Sequence, residues 1–133
     1  MRFKFLILAL VLAACSDVRS FDETYAQFQR DRDRLQPLAE AAVACDESQN
    51  FLAVETERDD CVGEISRQLH AMGYNRAFVS DGRWRVNFVN GDDGAPIGSV
   101  MSGISYRRVP GRPESYERVL TDAPHQWFYF QRD

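Results

Sequence analysis

The sequence predicts an α+β protein, in which an N-terminal helical hairpin packs on one face of an antiparallel meander of four to five strands. Two observations support this class. Apolar residues recur at three- and four-residue steps in the segments before residue 73, which is typical of amphipathic helices. From residue 76 onwards, short runs rich in Val, Phe, Tyr and Trp are separated by turn sequences, which is typical of strands.

The composition is that of a globular protein. The chain has 133 residues, of which 44% are hydrophobic and 27% are charged, and these values exclude a disordered polypeptide and a protein with several membrane spans. The formal charge of −4 argues against a general nucleic-acid-binding protein, because such proteins carry a basic surface. We expect a single domain over residues 20–133.

Residues 1–14 have the features of a secretory signal peptide. Arg2 and Lys4 give a cationic start, and an uninterrupted apolar run follows over residues 5–14. A helix of that length measures about 15 Å, which is half of the roughly 30 Å hydrocarbon core of a bilayer. The run is therefore too short for a stable membrane span, and export is the better interpretation.

The signal ends in Leu12-Ala13-Ala14-Cys15, which resembles the lipobox of bacterial lipoproteins. In that family the cysteine thiol receives a diacylglycerol, the signal is cleaved just before it, and the new amine is usually acylated. The resemblance implies lipidation of Cys15 and a short tether over residues 15–19. Ser16 stands where an aspartate would retain the protein in the inner membrane, so the resemblance implies the outer membrane, facing the periplasm. An ordinary signal peptide with an unrelated cysteine is the alternative.

The first helix is predicted from a capping box formed by Ser20 and Glu23. Apolar residues over 21–43 then form one stripe, and Asp31 is expected to lie off it with its charged neighbours. Pro37 should kink this helix or begin a second one, because its nitrogen cannot donate a backbone hydrogen bond.

The second helix is predicted to begin after Asp59 or Asp60 and to end at Gly73. Cys45 lies near the end of the first helical region and Cys61 near the start of the second. An even pair of cysteines in an oxidising compartment usually forms a disulfide. We therefore expect a Cys45–Cys61 bridge that fixes the helical hairpin and stabilises the fold by about 3 kcal/mol. A metal site is not expected, because no histidine stands at ligand spacing to either cysteine.

The Asp81-Gly82 pair is a strong hairpin signal between strands over 76–80 and 83–89. A two-residue turn would pair Ser80 with Arg83. The remaining elements expected are a turn over 90–96, strands over 97–108 and 126–132, and a further candidate strand over 116–120.

The sheet face that points away from the helices is the expected binding surface. With this register it carries Phe78, Arg83 and Arg85, beside Phe128 and Phe130 of the last strand. Arginine and aromatic side chains are enriched in the hot spots of protein interfaces. The alternative is a satellite core under the loop at 109–115, in which case this face is structural.

Catalytic residues and cofactors are not predicted. His70 and His125 have no serine or cysteine nucleophile at a recognisable motif spacing. The segment over 90–94 lacks the alternating oxygen ligands and the closing glutamate of a calcium loop. We therefore expect neither an enzyme nor a metal site.

Two further resemblances suggest function classes. Ser102-Gly103-Ile104-Ser105-Tyr106 is similar to a serine-glycine-x-x-tyrosine motif of the periplasmic C-type lysozyme inhibitors, a β-barrel family, but the downstream lysine and tryptophan motif is missing. A lipid-anchored helical hairpin before a meander is similar to the small accessory lipoproteins of the outer-membrane barrel-assembly machine. The glycine-methionine-threonine turn of that family is missing as well.

Together these features predict a non-enzymatic, lipid-anchored envelope protein that serves as a binding or assembly-accessory module close to the membrane. Its expected partners are the membrane, through the lipid anchor, and an envelope protein or a cell-wall polymer, whereas nucleic acid is not expected. The alternative is a periplasmic inhibitor or immunity protein directed against a hydrolase such as a lysozyme.

Overall fold

The computed structural model describes residues 18–45, 50–80, 85–93 and 100–132. Its elements are, in sequence order, α1 (Phe21–Cys45), β1 (Asn50–Leu52), α2 (Cys61–Met72), β2 (Arg76–Ser80), β3 (Arg85–Asp92), β4 (Met101–Arg107), β5 (Glu117–Val119) and β6 (Trp127–Arg132). Both helices pack on one face of the sheet, which confirms the predicted α+β class. Within the described ranges, no helical stretch combines the length and the hydropathy that a bilayer span requires.

The six strands form one antiparallel sheet in the order β1-β2-β3-β4-β6-β5. The sheet has one strand more than the upper end of the expected four to five, and its order differs from a simple meander at two places. First, β1 separates the two helices in the sequence and forms a sheet edge, where the fully buried Phe51 pairs with Ala77. Second, β6 inserts between β4 and β5, because its aromatic residues are the ones that fill the centre of the sheet.

The register of the β2–β3 hairpin differs from the expected one. Ser80 pairs with Arg85 rather than with Arg83, so residues 81–84, which lie outside the described ranges, connect the two strands. This register places the small Ala77 opposite the large Phe88, and packing of buried side chains outweighs the local preference of a turn. Because the shift is two residues, every described side chain of the hairpin stays on its expected face.

Helix α1 begins at the predicted capping box. The backbone N–H of Glu23 donates to Ser20 Oγ over 3.2 Å, and the backbone N–H of Ser20 donates to Glu23 Oε1 over 3.3 Å. The Ser20 N–H, followed by the Ser20 hydroxyl, donates to this carboxylate and lowers the pKa of Glu23 below its ordinary value. The helix then continues through Pro37 to Cys45, so the alternative that a second helix begins at Pro37 is wrong. Pro37 is exposed, and water can therefore satisfy the carbonyl that the proline nitrogen leaves without a donor.

The buried stripe of α1 includes a carboxylate. Its members are Thr24, Phe28, Asp31, Leu35, Leu38, Ala39 and Ala42. Asp31, which was expected off the stripe, has a fully buried side chain. Its carboxylate accepts hydrogen bonds from Arg30 and Arg34 at 3.1 and 3.0 Å, and two guanidinium groups make its burial tolerable.

Helix α2 has the two ends that the sequence predicts. Asp60 is its N-cap and accepts a hydrogen bond from the backbone N–H of Gly63 over 3.1 Å. Gly73 ends the helix with a φ of 84°, the left-handed conformation that favours glycine. The predicted disulfide joins Cys45 to Cys61, with 5.8 Å between their Cα atoms. The bridge thus links the end of α1 to the start of α2, on either side of β1.

A polar network closes the end of the sheet where the N-terminal segment enters. Asn90 donates to Thr24 Oγ1 over 3.0 Å and accepts from Ser102 Oγ over 2.9 Å. The backbone N–H of Arg19 in turn donates to Ser102 Oγ over 2.8 Å. Asn90 therefore belongs to β3, with a bulge between Val89 and Gly91, and the prediction of a turn starting at residue 90 is wrong. Its side chain is buried because it links helix, strand and N-terminal segment.

Gly103 permits a close contact between strands β3 and β4. A Cβ atom at this position would lie 2.0 Å from the carbonyl oxygen of Phe88 and 2.9 Å from the ring of Phe130. At Gly111 the corresponding atom would lie 3.2 Å from Arg107 Nη1, which a shift of a few tenths of an ångström relieves. The two glycines therefore differ in what an added methyl group displaces.

We expect Gly103→Ala to lower the free energy of unfolding by about 3 kcal/mol, because the β3–β4 pair must separate to admit the methyl group. Gly111→Ala is the control and should cost less than about 1 kcal/mol. Urea unfolding followed by circular dichroism measures both. Equal losses for the two variants would contradict this account of the strand contact.

Candidate binding face

The sheet face turned away from the helices, called here the outer face, carries Phe78 and Arg85, two of the three predicted binding residues. Phe78 pairs with Asn87, and Ser80 pairs with Arg85, so these four side chains share one face. Phe130 reaches the same face through β4, because it pairs with Gly103, which pairs with Val89. The register therefore confirms that Phe78 and Arg85 lie on one face with Phe130.

Part of the outer face is a covered satellite core. The segment over 108–116, called here the covering loop, folds back over this face. The chain then continues as β5, which pairs with the edge of β6 that does not contact β4. Phe128 and Phe130 are only 0% and 2% exposed as a result. For these two aromatic residues the alternative of a local core under the loop that follows residue 108 is the correct one.

A buried ion pair fixes this cover in place. Arg107 donates to the carboxylate of Glu117, and their side chains are 13% and 0% exposed. The guanidinium carbon of Arg107 lies 4.4 Å from the centroid of the Phe128 ring, in a cation–π contact. The same Glu117 carboxylate accepts the backbone N–H of Glu114 over 2.8 Å. One carboxylate thus joins the end of β4, the covering loop and β5.

The remainder of the outer face opens into a cavity of about 260 Å³, called here the outer cavity. Its lining side chains come from β2, β3, β6 and the covering loop: Phe78, Ser80, Arg85, Asn87, Glu114, Tyr116, Phe130 and Arg132. Phe78 and Arg85 are half-buried there. The outer cavity therefore combines aromatic walls with two guanidinium groups.

Tyr116 holds the two arginines of the outer cavity together. Its hydroxyl oxygen accepts hydrogen bonds from Arg85 Nη1 at 2.9 Å and from Arg132 Nη1 at 3.4 Å. The guanidinium carbon of Arg132 also lies 4.7 Å from the centroid of the Tyr116 ring. On β2, the guanidinium carbon of Arg76 lies 5.9 Å from the centroid of the Phe78 ring. The arrangement presents cationic groups at fixed positions on apolar walls.

Two of the predicted site residues cannot be placed. Arg83 and the lipidation candidate Cys15 both lie outside the described residues. Tyr116 and Arg132 were not predicted, since both are distant in sequence from the hairpin and only the insertion of β6 brings them to it. An arginine at the end of an aromatic strand, as in Phe130-Gln131-Arg132, was the available signal.

The two histidines occupy separate places in the fold. His70 is exposed on the last turn of α2, whereas His125 precedes β6 and its Nδ1 lies 3.0 Å from the carbonyl oxygen of Thr121. Within the part of the protein that the structure describes, no group of three or more histidine, cysteine and acidic side chains could hold a metal ion.

A larger cleft of about 580 Å³ lies between α1 and the end of α2. Its basic side chains include Arg30 and Arg34, but both are paired with the buried Asp31. The carbonyl end of α2 also faces this cleft and disfavours an anion. Burial of Tyr74, followed by the charge of Asp31, raises the pKa of this tyrosine above its ordinary value. These features describe a structural charge cluster between two helices.

The motif shared with the lysozyme inhibitors is structural in this fold. All five residues of Ser102-Gly103-Ile104-Ser105-Tyr106 are buried within β4. Ser102 contacts Asn90 and the backbone of Arg19, and Tyr106 packs on Trp127 with 4.6 Å between ring centroids. These side chains are therefore committed to contacts within the domain.

Comparison with known proteins adds no assignment to this geometry. No family model matches the sequence, and neither the comparison with curated proteins nor that with solved structures gives a match. The function proposed below therefore depends on the outer cavity and on the sequence.

We expect Glu117→Ala to lower the free energy of unfolding by about 3 kcal/mol, because it leaves the guanidinium of Arg107 buried without its partner. Loosening of the covering loop should also speed tryptic cleavage after Arg108. Glu114→Ala is the matched control, since its exposed side chain should contribute less than about 0.5 kcal/mol. Denaturant unfolding and timed proteolysis test the pair. Unchanged cleavage in Glu117→Ala would show that this pair does not hold the loop.

Proposed function

We propose that this protein is a non-enzymatic, lipid-anchored protein of the outer membrane, which faces the periplasm and binds an envelope protein through the outer cavity. The outer cavity is the observation that carries the proposal. It places Phe78 and Arg85 beside Tyr116 and Arg132 on a sheet face that the helices leave open. Guanidinium groups and aromatic rings suit recognition of a partner, and such residues dominate the binding energy of protein interfaces.

The short tether supports a position close to the membrane. Tyr129 donates its hydroxyl hydrogen to the carbonyl oxygen of Arg19 over 2.9 Å, and the Arg19 N–H is bound to Ser102. Arg19 is thus fixed to the sheet. From there to the proposed anchor at Cys15 the backbone can extend over about 14 Å at most. A lipidated Cys15 would therefore hold the domain against the bilayer and limit its partners to those near the membrane.

The size of the outer cavity favours a protein over a polymer. About 260 Å³ is less than the roughly 300–1,000 Å³ of sites that enclose a drug-sized ligand. It is enough for one inserted side chain, which is how a protein partner commonly anchors itself at an interface. The barrel-assembly accessory lipoproteins are an analogy for this role, based on architecture alone.

Metabolic labelling with an alkyne analogue of palmitate should mark this protein in cells, and Cys15→Ser should abolish the label. The reason is that only a thiol at this position can form the thioether to diacylglycerol. The Cys45→Ser, Cys61→Ser double variant is the control and should keep the label. Labelling that persists in Cys15→Ser would remove the lipoprotein proposal.

Arg85→Ser should weaken capture of an envelope partner by about 30-fold in affinity, because truncating a desolvated interface arginine costs about 2 kcal/mol. Arg108→Ser removes the same charge from an exposed position that does not line the outer cavity, and it should capture the partner normally. Cross-linking and pull-down from solubilised envelopes, followed by quantitative mass spectrometry, compare the two variants with the wild-type protein.

Thermal melts of the same variants separate binding from folding. Both should melt close to the wild-type temperature, since neither removes a fully buried side chain. An early melt of Arg85→Ser alone, or full capture by it, would show that this arginine is structural. Capture of a single hydrolase that the protein inhibits would favour the inhibitor alternative instead.

A further inference from the structure

We infer that the outer cavity recognises a carboxylate of its protein partner, carried by an acidic side chain or by the C-terminus of the partner. This inference rests on the proposed function and adds the chemistry of the contact. It is carried by three features of the outer cavity, which are the convergence of two guanidinium groups, the apolar walls beside them and the small volume.

The two guanidinium groups converge on one point. Arg85 and Arg132 both donate to the hydroxyl oxygen of Tyr116, at 2.9 and 3.4 Å, although they come from strands that are not neighbours in the sheet. A planar guanidinium presents its N–H groups in a fork that matches the two oxygens of a carboxylate. Because the Tyr116 hydroxyl holds both guanidinium groups in one place, an anionic group that enters beside it would meet the charge of both.

The charge around this point favours an anion. Among the described residues that line the outer cavity, Arg85 and Arg132 are the cations and Glu114 is the acid, so the lining is cationic. Glu114 lies in an exposed stretch at the rim. This local sign is opposite to the formal charge of −4 of the whole protein. Electrostatic complementarity of this kind directs a partner to a specific patch and excludes partners of the wrong sign.

The walls and the volume favour a carboxylate on a peptide over free phosphate. Phe78 and Phe130 form apolar walls beside the arginines. The aliphatic part of an amino acid can pack on these rings, whereas inorganic phosphate has no apolar part to offer. A space of about 260 Å³ admits one such residue. The occupant is therefore a single carboxylate-bearing residue of a longer polypeptide that contacts the surface around the outer cavity.

Arginine NMR of the full-length protein in dodecyl maltoside micelles tests this inference. With arginine labelled in ¹⁵N, the Nε–H signals of Arg85 and Arg132 report directly on the outer cavity. N-acetyl-leucine supplies a terminal carboxylate, and N-acetyl-glutamic acid α-amide supplies a carboxylate on a side chain. At least one of them should shift both signals saturably, and the one that binds more tightly identifies the source of the carboxylate.

N-acetyl-leucinamide and inorganic phosphate are the comparison probes. N-acetyl-leucinamide lacks the negative charge, so it should bind at least tenfold more weakly than the tighter-binding of the two carboxylate probes. Inorganic phosphate should bind no more tightly than this amide. Equal binding of the neutral amide, tighter binding of phosphate, or the lack of any saturable shift would each overturn the inference.

Four variants sharpen the test. Arg132→Lys keeps the charge but loses the planar guanidinium, so the affinity for the carboxylate probe that binds should fall about tenfold. Arg85→Lys should weaken it similarly. Glu114→Gln removes the rim carboxylate and should tighten binding about threefold, as expected for an exposed charge. Arg108→Lys is the control and should bind as the wild-type protein does. Unchanged binding in both outer-cavity lysine variants would overturn the inference, because general surface charge would then explain the shifts.

The failure of this inference can be told apart from failure of the proposed function. If capture depends on Arg85 but no carboxylate probe shifts the arginine signals, the outer cavity is a binding site of other chemistry and only the inference is overturned. If the probes bind as expected but Arg85→Ser captures every envelope partner normally, the carboxylate site stands and the proposed partner-binding role is overturned.

Discussion

A six-stranded sheet has two faces, and two helices can cover only one of them. The protein covers part of the second face with its own backbone, by placing β6 beside β4 and sending the segment between β4 and β5 back across the sheet. The Arg107–Glu117 pair holds that segment, and its burial beside Phe128 replaces the apolar cover that a third helix would give. The outer cavity is the part of this face that the segment does not cover, and it lies between the covered strands and the β2–β3 hairpin.

Local signals in the sequence predict the helices because helix ends depend on neighbouring residues, whereas the disulfide was predicted from an even pair of cysteines in an exported protein. The Ser20–Glu23 box, the Asp60 cap and the left-handed Gly73 all lie where spacing alone puts them. The position of β6 was not predictable in this way. Strand order depends on which apolar faces pack together across the whole protein, and no short pattern encodes that choice. The register of the hairpin has the same origin, since packing around Ala77 and Phe88 decides it.

The site was predicted in part for a reason that comes from strand geometry. Side chains alternate with a period of two, so a register that differs by two residues leaves Phe78 and Arg85 on the same face. Tyr116 and Arg132 were missed because they enter the site through tertiary pairing. The buried Asp31 was missed for a different reason, since a stripe defined only by apolar residues omits a charge. The steps from Thr24 through Phe28 to Leu35 nevertheless pass through position 31 at helical spacing.

One side of the outer cavity, at Arg132, lies near the end of the sheet where the N-terminal segment enters. Arg19 is bound to Ser102, which pairs with Gln131, and the next pair along the ladder is Met101 with Arg132 of the outer cavity. Arg132 is therefore close along the strands to the point where the tether leaves the domain, although it faces the opposite side of the sheet. With the anchor proposed at Cys15, the Arg132 side of the outer cavity would lie nearer the bilayer than the Arg85 side, since Arg85 pairs with Arg107 at the other end of β4. A partner held at the bilayer surface would therefore meet the Arg132 side first, and its carboxylate would have to reach along the sheet to meet Arg85 as well.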